Sequence, residues 1–303
     1  MSLSLSGVFA PVITPFHADL RVDVPLFVQH SRWLLGQGAG LAMFGTNSEA
    51  NSLTVTERRQ LLDQLLQADL DPARMLPGTG CCAIDDTVAL TRHAVEAGCA
   101  GVLMLPPFYY KGVSDDGLYR YYAEVIQRVA SARLKLYLYH IPAFTGVPIT
   151  LSLIARLIKD FPETVVGIKD SSGDWDNVAA MLKEFPGFAI FPASESFLSR
   201  ARPLGAAGCI SATANVNPSG IARLCAQWDQ PQGAQLQQQA DAIRQTFQKY
   251  PMIAALKYAT AHVSGNATWE NVRPPLSPLA SQQRLQLQAE LAQIGFSMPG
   301  LVA

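Results

Sequence analysis

Val165-Val166-Gly167-Ile168-Lys169-Asp170-Ser171-Ser172-Gly173-Asp174 holds the organisation of the whole chain in one stretch. A short, nearly uninterrupted apolar run suits a strand buried on both faces of a parallel sheet better than the alternation of a half-exposed strand. This run ends on a lysine and gives way at once to a polar loop. Comparable runs recur at 8–12, 41–44, 75–78, 102–105, 136–139, 188–191 and 209–211.

Segments with helical spacing lie between them. Thr54-Val55-Thr56-Glu57 fits a capping box, in which the Thr54 hydroxyl and the Glu57 carboxylate satisfy orphan backbone amides, and Leu61, Leu62, Leu65 and Leu66 continue as an apolar stripe. Asp85-Asp86 and Ser114-Asp115-Asp116 open two further helices, where acidic residues complement the helix dipole. Eight strands alternating with helices predict an α/β fold, a TIM (β/α)8 barrel with a C-terminal helical extension. Residues 1–230 form the barrel and 231–303 a helical segment, with helices over 236–250, 252–263 and 282–294, packed on the barrel as a single structural unit.

The chain has 303 residues, 49% of them hydrophobic, enough for a substantial core. A formal net charge of -1 without any Lys/Arg-rich block offers no electrostatic footprint for nucleic acid. No run approaches the roughly 20 apolar residues of a membrane span, and the first residues lack the basic start and apolar segment of a signal peptide, so a cytoplasmic protein is expected. Cys81, Cys82, Cys99, Cys209 and Cys225 show no CxxC spacing, so neither a metal site nor a disulfide framework is expected.

In such a barrel the loops after the strands share the face that carries chemistry. Here that face would gather Thr46 and Asn47, Tyr109, Tyr139 and His140, Lys169 and Asp170, Ser194 and Glu195, and Ser211. A lysine approached through an apolar run is poorly hydrated, and a neutral amine attacks a ketone to form an imine that withdraws electrons from the adjacent carbons. Each of these residues taken singly has an ordinary structural explanation: a strand-end lysine, a barrel-wall tyrosine, a loop histidine. Their combination points to imine chemistry.

GTNSEANSLT (45–54), PPFYYKG (106–112), YLYHIP (137–142) followed by TG (145–146), GIKDSSGD (167–174), GAAGCISATANVNP (205–218) and VRPPL (272–276) occur in this order. Across 7–279 the chain thereby resembles the dihydrodipicolinate synthase/N-acetylneuraminate lyase family of pyruvate-dependent class I aldolases. The resemblance implies an imine between Lys169 and pyruvate or the cleaved 2-keto acid, with no other cofactor. Tyr139 then transfers the proton, Thr46 is the hydroxyl relay, and Tyr109 is a relay tyrosine lent by a neighbouring subunit. The backbone around Thr46 and Asn47 becomes the carboxylate pocket, and Ile210 lines the site. It also implies a homotetramer built as a dimer of dimers.

Two departures bear on the substrate. The usual GTTGE or GSTGE reads Gly45-Thr46-Asn47-Ser48-Glu49, and Phe144 stands where dihydrodipicolinate synthases carry an arginine for the carboxylate of the second substrate. An apolar ring cannot replace a bidentate guanidinium. Asp170-Ser171-Ser172 resembles synthases and 2-keto-3-deoxy sugar acid aldolases more than sialic acid lyases. The expected activity is reversible cleavage of a 2-keto-3-deoxy sugar acid or related hydroxy-keto acid to pyruvate and an aldehyde. Phe144, Ser171, Ser194, Glu195 and Ser211 are candidate substrate contacts. The alternatives are dihydrodipicolinate synthase, N-acetylneuraminate lyase, a keto-deoxy sugar acid dehydratase and a non-catalytic keto-acid-binding protein.

Overall fold

The computed structural model describes residues 5–301. Among them the strands are β1 (Gly7–Ala10), β2 (Gly40–Leu41), β3 (Val102–Met104), β4 (Leu136–His140), β5 (Val165–Asp170), β6 (Ala189–Pro192) and β7 (Gly208–Ile210). β1 pairs in parallel with β2 and β7, while β3, β4, β5 and β6 form a second parallel set in chain order.

The strand expected at 75–78 closes the first gap between these sets without forming a regular ladder. Met75 bridges Leu41 and Gly78 bridges Leu103, with Leu76 and Gly78 donating to the carbonyls of Leu41 and Met43, both at 2.7 Å. Pro77 has no N–H to donate, which explains the irregularity. The second gap is crossed by Ala207, whose N–H donates to Ile190 O at 3.0 Å and whose carbonyl accepts from Gly7 N–H at 2.9 Å. Eight extended segments thus close into a TIM barrel. Gly208 permits the last closure: its φ is +156°, and a Cβ there would stand 1.8 Å from the Gly7 carbonyl oxygen.

Alternation along the strands divides the core in two. Phe9, Leu76, Leu103, Tyr137, Phe191 and Ile210 fill the barrel interior, with Phe9 and Tyr137 both meeting the Phe191 ring edge to face. The larger cluster lies between strands and surrounding helices, where Leu41, Leu138, Ile168 and Ile190 meet Leu61, Leu65, Val125 and Leu157. The expected capping box is present, with Thr54 accepting from Glu57 N–H and Glu57 accepting from Thr54 N–H.

The C-terminal helices span Gly233–Gln248, Met252–Ser264 and Ser281–Gln293. Phe247, Leu256, Trp269 and Leu287 from this region share a third cluster with Ile13, Leu26 and Val216 of the barrel. A polar contact also joins the two, Asn271 Nδ2 donating to the Phe16 carbonyl at 2.8 Å. On the barrel side Asn215 accepts from Ile13 N–H and donates to the carbonyls of Pro11 and Ala212, while His30, packed edge-on against Trp269, approaches Asn215 Oδ1 at 3.4 Å.

Candidate active site

Tyr139 and Lys169 are register partners on β4 and β5, so both side chains leave the sheet on the same side. They stand above the filled interior, where the lysine Nζ donates to the Tyr139 hydroxyl at 3.1 Å and that hydroxyl lies 3.2 Å from Thr46 Oγ1. The lysine is 3% exposed and the tyrosine 2%. Burial pushes the Tyr139 phenol up, but the Lys169 charge and hydrogen bonds to Thr46, Lys169 and Ser171 outweigh it, leaving the pKa below the ordinary value.

Neither plain structural role of a strand-end lysine is realised. Lys169 does not reach solvent, and its neighbour Asp170, pointing to the other side, serves the following loop. Asp170 accepts from Ser172 N–H at 2.9 Å, from Ser172 Oγ–H at 2.5 Å and from Asn177 Nδ2 at 2.6 Å. The tight turn 171–174 is built by the carboxylate, and the amine is left to the tyrosine.

Thr46 and Asn47 open a 3-10 turn, so their backbone N–H groups have no acceptor within it. The loop is bounded by two non-glycine residues in the left-handed region, Phe44 at φ 62° and Glu49 at φ 55°. Such conformations persist where the surroundings impose them. Glu49 is clamped by a buried ion pair to Lys257 and by the Arg273 N–H at 2.9 Å, while Lys257 also donates to Asn271 O at 2.7 Å. The C-terminal segment therefore sets the loop that presents Thr46. Burial lowers Lys257 to about 8 against the opposing attraction of Glu49.

Lys169 and Tyr139 open onto a cavity of about 740 Å³. Thr46, Asn47, Phe144, Ser171, Ser194 and Ile210 line it as the sequence suggests. Glu195 and Ser211 do not: both are fully buried behind the wall, hydrogen-bonded to each other, with Thr213 completing the cluster. A buried carboxylate needs such partners, and they leave it none for a ligand. Tyr109 is also absent from the lining; it is 74% exposed on the loop after β3, stacked edge-to-face on Tyr110. His140 accepts from Ile149 N–H through Nδ1 at 3.0 Å, and burial lowers its pKa despite Asp170, so it is a neutral brace for the loop carrying Phe144.

Sequence reasoning missed Arg244. It enters the cavity from the helix Gly233–Gln248, and its Nη1 donates to Ser211 Oγ at 3.0 Å, Glu195 Oε2 at 3.3 Å and Ala193 O at 3.4 Å. Its Nε is buried without a hydrogen-bond partner among the described residues. The available signal was positional: Arg244 follows buried Ala240 by four residues and precedes buried Phe247 by three, which puts a cation on the helix's inward face.

A carbonyl at the lysine would meet a buried amine, a phenol placed to move a proton, a hydroxyl beyond it and, for an anion, backbone N–H groups that have no partner among the described residues. The chain as a whole has relatives. The model of the dihydrodipicolinate synthetase family matches residues 4–294. A DapA-like lyase, itself uncharacterised, from Chloroflexus aurantiacus is 33% identical over 95% of this chain and 96% of its own. The crystal structure of dihydrodipicolinate synthase from Agrobacterium tumefaciens superimposes with a TM-score of 0.88 at 31% identity, covering 95% of this chain and 99% of that one. YagE, an E. coli prophage protein of the dihydrodipicolinic acid synthase family crystallised with pyruvate, gives a TM-score of 0.87 at 28% identity over 96% and 99% of the two chains. The chain belongs to the dihydrodipicolinate synthetase family and is a class I, pyruvate-dependent lyase.

Proposed function

We propose that this lyase reversibly cleaves a 2-keto-3-deoxy sugar acid or a related hydroxy-keto acid to pyruvate and an aldehyde, with Lys169 as nucleophile and Tyr139 as acid/base. The observation that carries the reading is the hydrogen-bonded chain from the buried Lys169 Nζ through the buried Tyr139 hydroxyl to the half-buried Thr46 in the cavity wall. The pyruvate complex of YagE supports the choice of keto acid.

In the synthetic direction Lys169 adds to the ketone of pyruvate and water leaves, giving a protonated imine. Tyr139 moves the protons, with Thr46 as relay. Loss of a proton from the pyruvate methyl gives an enamine that attacks the aldehyde carbon; a carbon–carbon bond forms and the aldehyde oxygen takes a proton from Tyr139. Hydrolysis frees the hydroxy-keto acid and returns the amine. Cleavage runs these steps backwards. The N–H groups of Thr46 and Asn47 hold the pyruvate carboxylate, and Ile210 packs beside the imine. Tyr109 completes the relay from a second copy of the chain, which accounts for a tyrosine left so exposed and implies a dimer at least, within the family's tetramer.

Phe144 at the cavity mouth argues against dihydrodipicolinate synthase, because it leaves the usual carboxylate-binding position without a cation. Retention of both nucleophile and proton-transfer residues argues against a binding protein without catalysis. Pyruvate with borohydride is expected to convert Lys169 irreversibly to a secondary amine, visible by mass spectrometry and absent in Lys169→Ala. A folded, pyruvate-binding protein that never acquires the adduct sinks the reading. Turnover of aspartate semialdehyde in a coupled assay would instead make the chain a synthase.

A further inference from the structure

Beyond the imine region the cavity wall is mostly carbon. Phe144, Phe197, Met252, Ile253, Pro275 and Leu276 form it, drawn from the loops after β4 and β6 and from the C-terminal segment. Few polar side chains interrupt it. Asp170 serves its own turn, while Ser194 and Gln283 each give an acceptor to a local backbone N–H, of Ser196 and Ala280, and with Ser277 offer only scattered donors. A polyol laid against this wall would find few partners for its hydroxyls, which costs binding.

Arg244 is the exception. Its Nη1 is held by Glu195, Ser211 and the Ala193 carbonyl, so its charge is already balanced by Glu195 behind the wall. The hydrogen bonds it makes among the described residues leave from Nη1; Nε is buried without a partner there, so Nη2 is the donor within reach of a ligand. What the guanidinium still offers is donor capacity at a place that the Nη1 contacts fix.

We infer that the aldehyde partner has an apolar body of about ring size, received by the Phe144, Phe197, Met252 and Leu276 wall, and one hydrogen-bond acceptor that meets Arg244. Resting on the Schiff-base reading, this narrows its substrate from sugar acids to hydroxy-keto acids with an apolar tail. Glu195 and Ser211 become positioning residues for the arginine.

The test is condensation of pyruvate with a panel comprising benzaldehyde, its hydroxy and carboxy derivatives, and D- and L-glyceraldehyde, with borohydride trapping at Lys169 run in parallel. Substituted ring aldehydes are expected to exceed glyceraldehyde in kcat/KM by about tenfold or more. Arg244→Met is expected to erase the advantage of the substituted rings over benzaldehyde. Phe144→Ser, at a side chain 72% exposed and so tolerant of change, is expected to narrow the gap between rings and glyceraldehyde through KM if the arginine variant does not fold. Adduct formation with a preference for glyceraldehyde overturns this inference alone; absence of the adduct overturns the Schiff-base reading and this inference with it.

Discussion

Tyr137 and Gly167 face each other in the β4–β5 register, two residues before Tyr139 and Lys169 on the same strands. A Cβ on Gly167 would lie 2.4 Å from Tyr137 Cδ1 and 2.5 Å from the Ala189 carbonyl oxygen. The tyrosine ring occupies the space the glycine vacates, and that layer is the floor on which the Lys169 and Tyr139 pair stands. Gly167→Ala is therefore expected to destabilise the protein by about 1–3 kcal/mol through overpacking. Turnover should fall with it as Lys169 moves, and adding Tyr137→Leu should recover part of the stability. Urea unfolding measures both; an alanine variant as stable as the parent would contradict the close approach.

The pattern of apolar runs was enough to read the barrel, because strands buried on both faces leave a signature that needs no tertiary information. Strand-end positions put Lys169, Tyr139 and Thr46 on the loop face, but their expected roles came from the motifs GIKDSSGD, YLYHIP and GTNSEANSLT that resemble the family; the structure brings the three side chains together. The run at 75–78 read as an ordinary strand, since one proline costs donors without changing apolarity. Glu195 and Ser211 misled, because a polar residue after a strand looks the same whether it faces the cavity or backs a wall. Arg244 was hidden by distance. Its role depends on how the helix Gly233–Gln248 lies across the barrel mouth, and that placement is set by the core cluster that Phe247 shares with Ile13 and Val216 rather than by any local motif.

The network around Tyr139 has a spectroscopic consequence. Lys169, Thr46 and Ser171 hold the phenol below its ordinary pKa in spite of burial, so the phenolate forms at a lower pH than in a free tyrosine. Ultraviolet difference titration of the folded protein is expected to show one tyrosine ionising early, and Tyr139→Phe should remove it. The same substitution should lower kcat by about 10²- to 10⁴-fold, the usual contribution of a positioned proton-transfer group. An unchanged early phase in the variant would assign it to another tyrosine.

Glu49 and Lys257 join the Thr46 loop to the C-terminal segment through a pair of fully buried charges. Removing one partner leaves the other uncompensated, so Lys257→Met is expected to cost about 3–5 kcal/mol, and pairing it with Glu49→Gln should restore much of that loss. Because Glu49 also fixes the strained end of the loop, the double variant should recover stability more completely than turnover. Denaturation midpoints compared with kcat separate the two effects.

His30 supplies a titration free of the active site. Its ring is buried against Trp33 and Trp269, with Nε2 toward Asn215 Oδ1, an oxygen that accepts because the amide nitrogen of Asn215 donates to two carbonyls. Burial pushes the pKa from 6.5 down to about 4, with the Asn215 contact opposing weakly. Between these values the unfolded chain carries the proton and the folded chain does not, so stability falls as the pH drops through this window and is fully present above it. A displacement of this size corresponds to a loss of about 3 kcal/mol by the bottom of the window. His30→Leu, which cannot titrate, is expected to show a shallower decline of unfolding free energy between pH 6.5 and 4, with the two proteins' profiles running parallel above the window. Matching slopes throughout would mean that the histidine is solvated, and that the junction between the barrel and Trp269 is looser than the packing indicates.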